Sequence, residues 1–415
     1  MNGASLHRVV VTGIGIVSPI GIGIGAFWEG TLRGDVGVRT VTRFDPSAFG
    51  SQVAAQADAF DARDFLSSRS IARTERFGQL AIAASKLALD DSGFCPDGAR
   101  DEVGVYIGSA LGGLAFAEEQ HAAYRERGLK AVRPLLAISV FGGASTTNVA
   151  LAFDLRGPNV SNGNSCAAGT VALGEAFRAV ARGDARAALA GGAEAPLSPL
   201  IFGAFATIGA MSERNDEPQR ASRPFDRDRD GFVMSEGAGM FVLERYDDAR
   251  ARGARIYGEI GGFGLTVDAY HMTAPQPQGR DAALAIRKAL AEAHVSPDEL
   301  ELVDAHGSAS RLNDMTETLA LKRALGAAAQ RVPVLATKGQ HGHALGATGA
   351  WEAALSLLAI HEGEVPRTVN LDNADPACDL NYVREPRALA PRVVLSNSTG
   401  FGGINAALVL RSVEE

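Results

Sequence analysis

Runs of apolar residues that end in glycine recur along the chain and set its expected layout. Arg8 to Val17 (RVVVTGIGIV) is almost continuously apolar, the pattern of a strand buried on both faces. Glu102 to Ser109, Ala187 to Gly191, Gly239 to Glu244, Ile256 to Phe263, Leu300 to Ala305, Val332 to Thr337 and Arg392 to Ser398 read as further strands. Between them, larger apolar residues fall at helical intervals in Arg73 to Asp91, Ala167 to Arg182, Asp281 to Ala293, Asp314 to Leu325 and Ala347 to Ile360. Strands alternating with helices predict an α/β layered fold, in which reactive groups gather beyond strand ends. Residues 35–70 are irregular. Ser212 to Gly231 is a polar loop whose prolines and dense charge exclude a core element.

Two arrangements occur twice. Glu102 to Ser109 runs into Leu111–Gly112–Gly113–Leu114, and Arg392 to Ser398 runs into Thr399–Gly400–Phe401–Gly402–Gly403–Ile404. Cys166 and His343 each precede an Ala-rich helix. This predicts an internal duplication, with an N-terminal half over 1–253 and a C-terminal half over 254–415. At 415 residues the chain is too long for one small core, which agrees with that division.

Composition narrows the function. Apolar residues make up 46% and charged residues 21%, an ordinary globular profile, and a net charge of −8 argues against binding a phosphate backbone. Cys95, Cys166 and Cys378 are far apart and odd in number, which fits a reducing compartment better than a disulfide or zinc framework. The apolar run after MNGASLHR is too short for a signal peptide. No charge-free run approaches the roughly eighteen residues of a membrane span. A cytoplasmic protein is expected, with no membrane or nucleic-acid partner. The glycines of Gly13 to Gly25 miss the strand–turn–helix context of a dinucleotide loop and read as tight turns. The alternating Asp and Arg of the polar loop lack calcium-loop spacing.

The candidate chemistry sits at strand and helix ends. Cys166, in Asn164–Ser165–Cys166–Ala167–Ala168–Gly169, is expected at a helix N-terminus, where unpaired N–H groups and the helix dipole favour a thiolate nucleophile. A buried structural cysteine is the competing reading. His306 and His343 follow strand ends, each beside a glycine that lets a substrate come close. A lone histidine is more often structural, but two such sites and a helix-capping cysteine point to catalysis. A His/His/Cys metal site lacks short ligand spacing and a fourth ligand, so no metal is expected. Arg69, Arg73, Arg76, Arg125, Arg127 and Lys130 form either a solvated face or a docking patch for an acidic partner.

The chain resembles the elongating β-ketoacyl-acyl carrier protein synthases of the thiolase-like superfamily. The resemblance rests on VVVTGIGIVSPIG, the Cys166 elbow, AGGAEAPLSP, SRPFDRDRDGFVMSEGAGMFVLE, DAYHMTAP, DAHGSASRLNDMTETLALK, KGQHGHALGATGAWEA and NSTGFGGIN, ordered blocks that cover almost the whole chain. It implies a five-layered α-β-α-β-α fold of two duplicated halves, a homodimer or a heterodimer with a ketosynthase-like subunit, and an acyl carrier protein partner. Substrates would arrive on phosphopantetheine, with no cofactor held by the enzyme. Cys166 would carry the acyl chain. His306 and His343 would stabilise the enolate formed as malonyl loses carbon dioxide. Lys338 and Glu317 would be the buried pair behind the histidines.

The resemblance also implies finer roles. The N–H groups of Cys166 and Phe401 would form an oxyanion hole, and Phe401 would be the gate between the two substrates. Ser308, Ser310 and Thr273 would contact the phosphopantetheine arm, and Leu111 and Phe205 would line the acyl tunnel. Glu352 and Asn397 lie in blocks where some relatives hold a monovalent cation. Thr399 stands where many members carry phenylalanine, and Asn164–Ser165 is more polar than usual, so a chain other than a plain saturated acyl group is expected. A non-catalytic chain-length factor would lack Cys166. A thiolase would need a second C-terminal cysteine motif, whereas Cys378 is followed by Asp379–Leu380. The initiating synthases use asparagine where this chain offers His343.

Overall fold

The computed structural model describes residues 6–96 and 98–413. The first five residues, part of the stretch read as lacking a signal peptide, lie outside it. One hydrogen-bonded sheet links twelve strands. Its main path uses β1 (Val9–Ser18), β2 (Val103–Gly108), β3 (Asn159–Asn162), β4 (Ala187–Glu194), β5 (Gly237–Arg245), β6 (Gly258–Val267), β7 (Leu302–Asp304), β8 (Pro333–Leu335), β9 (Asn381–Tyr382), β10 (Val393–Gly400) and β11 (Ile404–Arg411). The twelfth, Gly21–Ile22, folds back on β1.

Spatially the order is β9-β8-β7-β10-β11-β6-β1-β5-β4-β2-β3. The same pattern therefore occurs twice. In β3-β2-β4-β5-β1 the first three strands run parallel and the next two joints are antiparallel. In β8-β7-β10-β11-β6 the directions are identical. The repeats join where β1 meets β6, through Val10 opposite Glu259 and Val11 opposite Gly258.

Seven helices matter for the site: α1 (Arg76–Ser92), α2 (Leu114–Arg127), α3 (Ala168–Arg182), α4 (Pro199–Thr207), α5 (Arg280–Ala293), α6 (Arg311–Leu325) and α7 (Thr348–Glu362). α1 covers β1 and β5 from one side, and α5, backed by α6, covers β6 and β11 from the other. Between the repeats, α3 packs on β2 and β4, α7 packs on β10 and β11, and the two helices touch. This gives five layers. α3 and α7 are buried almost all round, so they lack the polar stripe of a surface helix. They meet at glycines. A Cβ on Gly169 would lie 2.7 Å from the Gly346 carbonyl oxygen, and one on Gly349 would lie 2.0 Å from Thr170 Oγ1.

The structure departs from the sequence expectations in three places. β3, β9 and β11 were not among the expected strands, nor α2 and α4 among the expected helices: β11 follows directly on a Gly-Gly turn, β3 is a polar, largely exposed edge, and β9 is only two residues long. α1 begins at Arg76, because Ser67 caps a separate turn over Ser68–Ile71. The polar loop is irregular as expected, but much of it is core. Residues 221–226 are buried, and Arg223 and Arg229 are buried against Asp226, Asp314 and Asp375. Paired charges can be buried, and these neutralise one another. Among the described residues no helix is long and apolar enough to cross a membrane.

Candidate active site

Cys166 sits in a single 3-10 turn, Ser165–Ala167, that leads into α3. The turn opens on Ser165 at φ 51°, and this left-handed residue turns the chain sharply between β3 and the helix. The same construction recurs before α7, where Leu345 (φ 43°) opens the turn Leu345–Ala347. Gly346 there occupies the place of Cys166.

The expected thiolate is not the resting form. Burial pushes the Cys166 thiol up to about 11, against smaller opposing effects from the Ser165 hydroxyl, the Lys338 charge and the Phe401 N–H. The helix terminus contributes only partial charges, and here full desolvation outweighs them. The Phe401 N–H that points at the thiol comes from the turn after β10.

His306 and His343 face each other, with ring centroids 5.1 Å apart and planes at 82°. Both are held well below the ordinary histidine range, first by burial and then by the Lys338 charge. They are neutral imidazoles. Lys338 Nζ lies 3.4 Å from His306 Nδ1 and also donates to the His306 carbonyl oxygen. An ammonium can only donate, so His306 Nδ1 accepts and Nε2 carries the proton. His343 Nδ1 lies 3.0 Å from the hydroxyl of Thr348, the first residue of α7, and its ring is edge-on to Phe232.

The expected Lys338–Glu317 pair is not formed. Lys338, fully buried, is bonded to Glu352 on α7. Glu317 instead accepts the N–H groups of His306 (2.6 Å) and Gly307 (2.8 Å) and the side-chain amide of Asn397 (2.7 Å). It therefore fixes the His306 loop by its backbone. Burial raises its carboxyl to about 7. Asn313 extends this cluster, donating to Glu317 (3.2 Å) and accepting from Thr399 (2.6 Å).

Behind the histidines, Asp304 Oδ1, Glu352 Oε2, Ser396 Oγ and Asn397 Oδ1 are buried without hydrogen-bond partners. Asp304 faces Ser396 in register, and the Glu352 charge adds to the burial that raises Asp304 well above the usual carboxylate range. Asp304 accepts from Ser356 of α7 at 3.3 Å, whereas Asn397, one step beyond Ser396 on β10, faces Glu317 on α6. Among the described residues no three His, Cys, Asp or Glu side chains cluster as a metal site.

Cys166, His306 and His343 line one cavity of about 590 Å³ together with Phe205, Thr273, Ser308, Ser310, Thr399 and Phe401. Phe401 stacks on Phe205 with centroids 6.2 Å apart. Thr273 is exposed at the rim, and Ser310 is partly engaged as the cap of α6. Leu111 does not line this cavity; it packs with Cys166 in one apolar cluster. Of the proposed docking cations, Arg69, Arg73, Arg125, Arg127 and Lys130 are exposed. Arg76 is half-buried and bonded through two nitrogens to Glu236, so it is structural.

Sequence reasoning missed Glu194 and Asn313. Glu194, the last residue of β4, accepts from the Ser109 hydroxyl and from the Ala110, Leu111 and Gly346 N–H groups at 2.6–3.1 Å. A lone acid ending an apolar strand (ALAGGAE) was the available signal.

The fold and the paired elbows place the protein in the thiolase-like class, α-β-α-β-α with a repeated strand order. The chain belongs to the β-ketoacyl synthase family: the family's N-terminal domain matches residues 6–249 and its C-terminal domain matches residues 257–372. It is 43% identical over 409 residues to 3-oxoacyl-[acyl-carrier-protein] synthase 2 of Synechocystis sp., covering 98% of both chains. A solved ketosynthase, in complex with its type II PKS acyl-carrier protein and bound to a hexaketide, superposes with a TM-score of 0.91 at 34% identity, over 99% of this chain and all of that one. The ishigamide ketosynthase/chain length factor superposes equally well, at 33% identity and the same coverage.

Proposed function

We propose that the protein is an elongating β-ketoacyl-acyl carrier protein synthase that condenses malonyl-carrier with a Cys166-bound acyl chain. The convergence of one thiol and two neutral imidazoles on a single cavity carries this reading. The acyl group passes from the carrier thioester to Cys166: the new sulfur–carbon bond forms, the carrier sulfur–carbon bond breaks, and the Cys166 proton goes to the departing carrier thiol, because the resting thiol is not ionised. The N–H groups of Cys166 and Phe401 receive the oxyanion. His306, protonated at Nε2, and His343 then donate to the malonyl thioester oxygen as carbon dioxide leaves. Such preorganised donors are each worth about 3–4 kcal/mol. The enolate carbon attacks the Cys166 thioester and releases the β-ketoacyl carrier. Neutral histidines suit this task, since they donate without placing a second positive charge beside Lys338.

Several finer assignments belong to the same proposal. Residues 1–253 and 254–415 form the two halves, a division supported by the repeated strand order. Ser308, Ser310 and Thr273 contact the phosphopantetheine arm. Arg69, Arg73, Arg127 and Lys130, without Arg76, meet an acidic carrier in the cytoplasm. The free edge β3 and the exposed Ile138, Val140, Phe141, Leu151 and Val160 accept a second copy or a ketosynthase-like subunit. The likeness to a ketosynthase/chain length factor favours keeping the second option.

Mass spectrometry of the intact protein after incubation with acyl-carriers tests the reading. An acyl adduct on Cys166, followed by β-ketoacyl-carrier on adding malonyl-carrier, is the expected result. Absence of the adduct with every carrier chain would end it.

A further inference from the structure

β10 divides its side chains between two helices. Ser398 bonds Thr170 of α3 at 2.8 Å, whereas Asn397 and Thr399 face α6. A strand presents every second residue on one face, and a helix presents residues four apart on one face. The two periods meet here. Asn397 reaches Glu317, and Thr399 reaches Asn313, one turn earlier on α6. Thr399 and Asn313 both line the cavity that holds Cys166 and the two histidines.

The hydrogen bonds of this patch allow one arrangement. The Asn313 amide nitrogen lies 3.2 Å from Glu317 Oε2 and 3.3 Å from Asp314 Oδ1, so it donates to both acids. The amide oxygen then needs a donor, and the Thr399 hydroxyl supplies one at 2.6 Å. With the amide held this way, each Glu317 oxygen accepts two bonds. Oε1 takes the His306 N–H and the Asn397 amide, and Oε2 takes the Gly307 N–H and the Asn313 amide. Gly307 is left-handed at φ 41° and has no side chain to restrain it. Two groups therefore fix His306: Lys338 at its ring and carbonyl, and Glu317 at the backbone N–H groups of its turn. Without the Thr399 donor the Asn313 amide would be free to turn over, and its oxygen would then face two carboxyls.

We propose that Thr399 is a positioning residue for His306: its hydroxyl fixes the Asn313 amide, which completes the Glu317 seat of the His306–Gly307 turn. The inference rests on the synthase reading. Displacing a donor aimed at a developing oxyanion is costly, so decarboxylation should register the loss of a hydroxyl that acts through two intervening side chains. In that step the bond from the malonyl carbon to its carboxylate breaks and carbon dioxide leaves. With no acyl chain on Cys166, the enolate carbon takes a proton from water to give acetyl-carrier. Transfer of an acyl chain to Cys166 does not use His306.

The test measures two half-reactions: carbon dioxide release from malonyl-carrier by the unacylated protein, and acylation of Cys166 by acyl-carrier, followed by mass spectrometry. Thr399→Val keeps the shape of the side chain and removes the donor. It is expected to slow carbon dioxide release about tenfold, and roughly threefold or more beyond any slowing of acylation. Thr399→Ser should recover carbon dioxide release to within about threefold of wild type. Asn313→Leu should itself be slow, and adding Thr399→Val to it should cost less than about twofold more, since the amide it acts through is gone. Thermal melting shows that each comparison is between folded proteins. A wild-type rate in Thr399→Val, equal slowing of both half-reactions, or no recovery in Thr399→Ser would overturn the proposal. So would the full cost of Thr399→Val on top of Asn313→Leu, which would put Thr399 against the substrate rather than behind Asn313. If wild type neither acylates Cys166 nor releases carbon dioxide, the synthase reading itself has failed.

Discussion

The turn before α3 and the turn before α7 are one piece of backbone used twice. Each opens on a left-handed residue, makes one 3-10 turn and feeds a fifteen-residue helix that ends at a left-handed glycine, Gly183 or Gly363. They differ in what abuts the elbow residue. At the second, Glu194 from the end of β4 bonds the Gly346 N–H at 3.0 Å. At the first, the last residue of β10 is Gly400, and a Cβ there would already lie 3.0 Å from the Cys166 nitrogen. An acid therefore covers one amide, while a glycine leaves the other facing the cavity. A repeat becomes reactive here by omission as much as by gaining a cysteine, and the silent elbow serves as a brace for the Leu111 loop.

Exchanging the two characters should have the largest effect. Cys166→Gly makes the first elbow resemble the second and removes covalent capture. Condensation is expected to fall by about a thousandfold or more, read from β-ketoacyl product. A rate within tenfold of wild type would mean that the elbows are not functionally distinct. Next, Gly346→Ala places a Cβ 2.7 Å from the Ala110 nitrogen and 2.8 Å from Glu194. A cost of about 1–3 kcal/mol is expected in denaturant unfolding, although no reacting group is touched. Unchanged stability would show that the brace yields freely.

A third measurement concerns the first elbow alone. With its thiol near 11, Cys166 should be alkylated about tenfold faster per pH unit between pH 7 and 9. A plateau beginning near pH 7 would instead mean that the helix end does generate a resting thiolate. The smallest effect is at Glu194, which burial raises from 4.5 to about 7. Between those values the folded protein keeps a proton that the unfolded chain has released. Stability from this group therefore declines as pH rises through that window and is level above it. Glu194→Gln has no such titration, so the margin of wild type over the variant should narrow from pH 4.5 to 7. A margin that widens would show that the four donors, rather than burial, control the acid.

What the sequence made legible follows from range. Cys166, His306 and His343 stand beside glycines at strand or helix ends, which are local signals, and their ordered blocks match a family. The apolar runs placed most strands, but β3 is polar because it is an edge, so its burial pattern could not announce it. Partners are set by tertiary packing and are not written in local sequence. Lys338 bonds an acid on the far side of α7's first turn instead of Glu317, and Arg76 answers to Glu236, which is 160 positions away. The thiolate expectation failed for a related reason: a helix end is visible in a sequence, but the depth at which it is buried is not. Arg229 looked solvated because its acids, Asp314 and Asp375, lie far along the chain, and Arg223 because a sequence does not show that its near neighbour Asp226 is buried with it.

The contact between α3 and α7 sets the spacing of the reaction. Backbone rests on backbone where Gly169 meets Gly346, with no side chain between the segment bearing the sulfur and the segment bearing one of the rings. At this crossing the distance between the two segments is fixed by backbone rather than by side-chain size. One added methyl at this crossing would push the segment that carries the sulfur away from the segment that carries one of the rings.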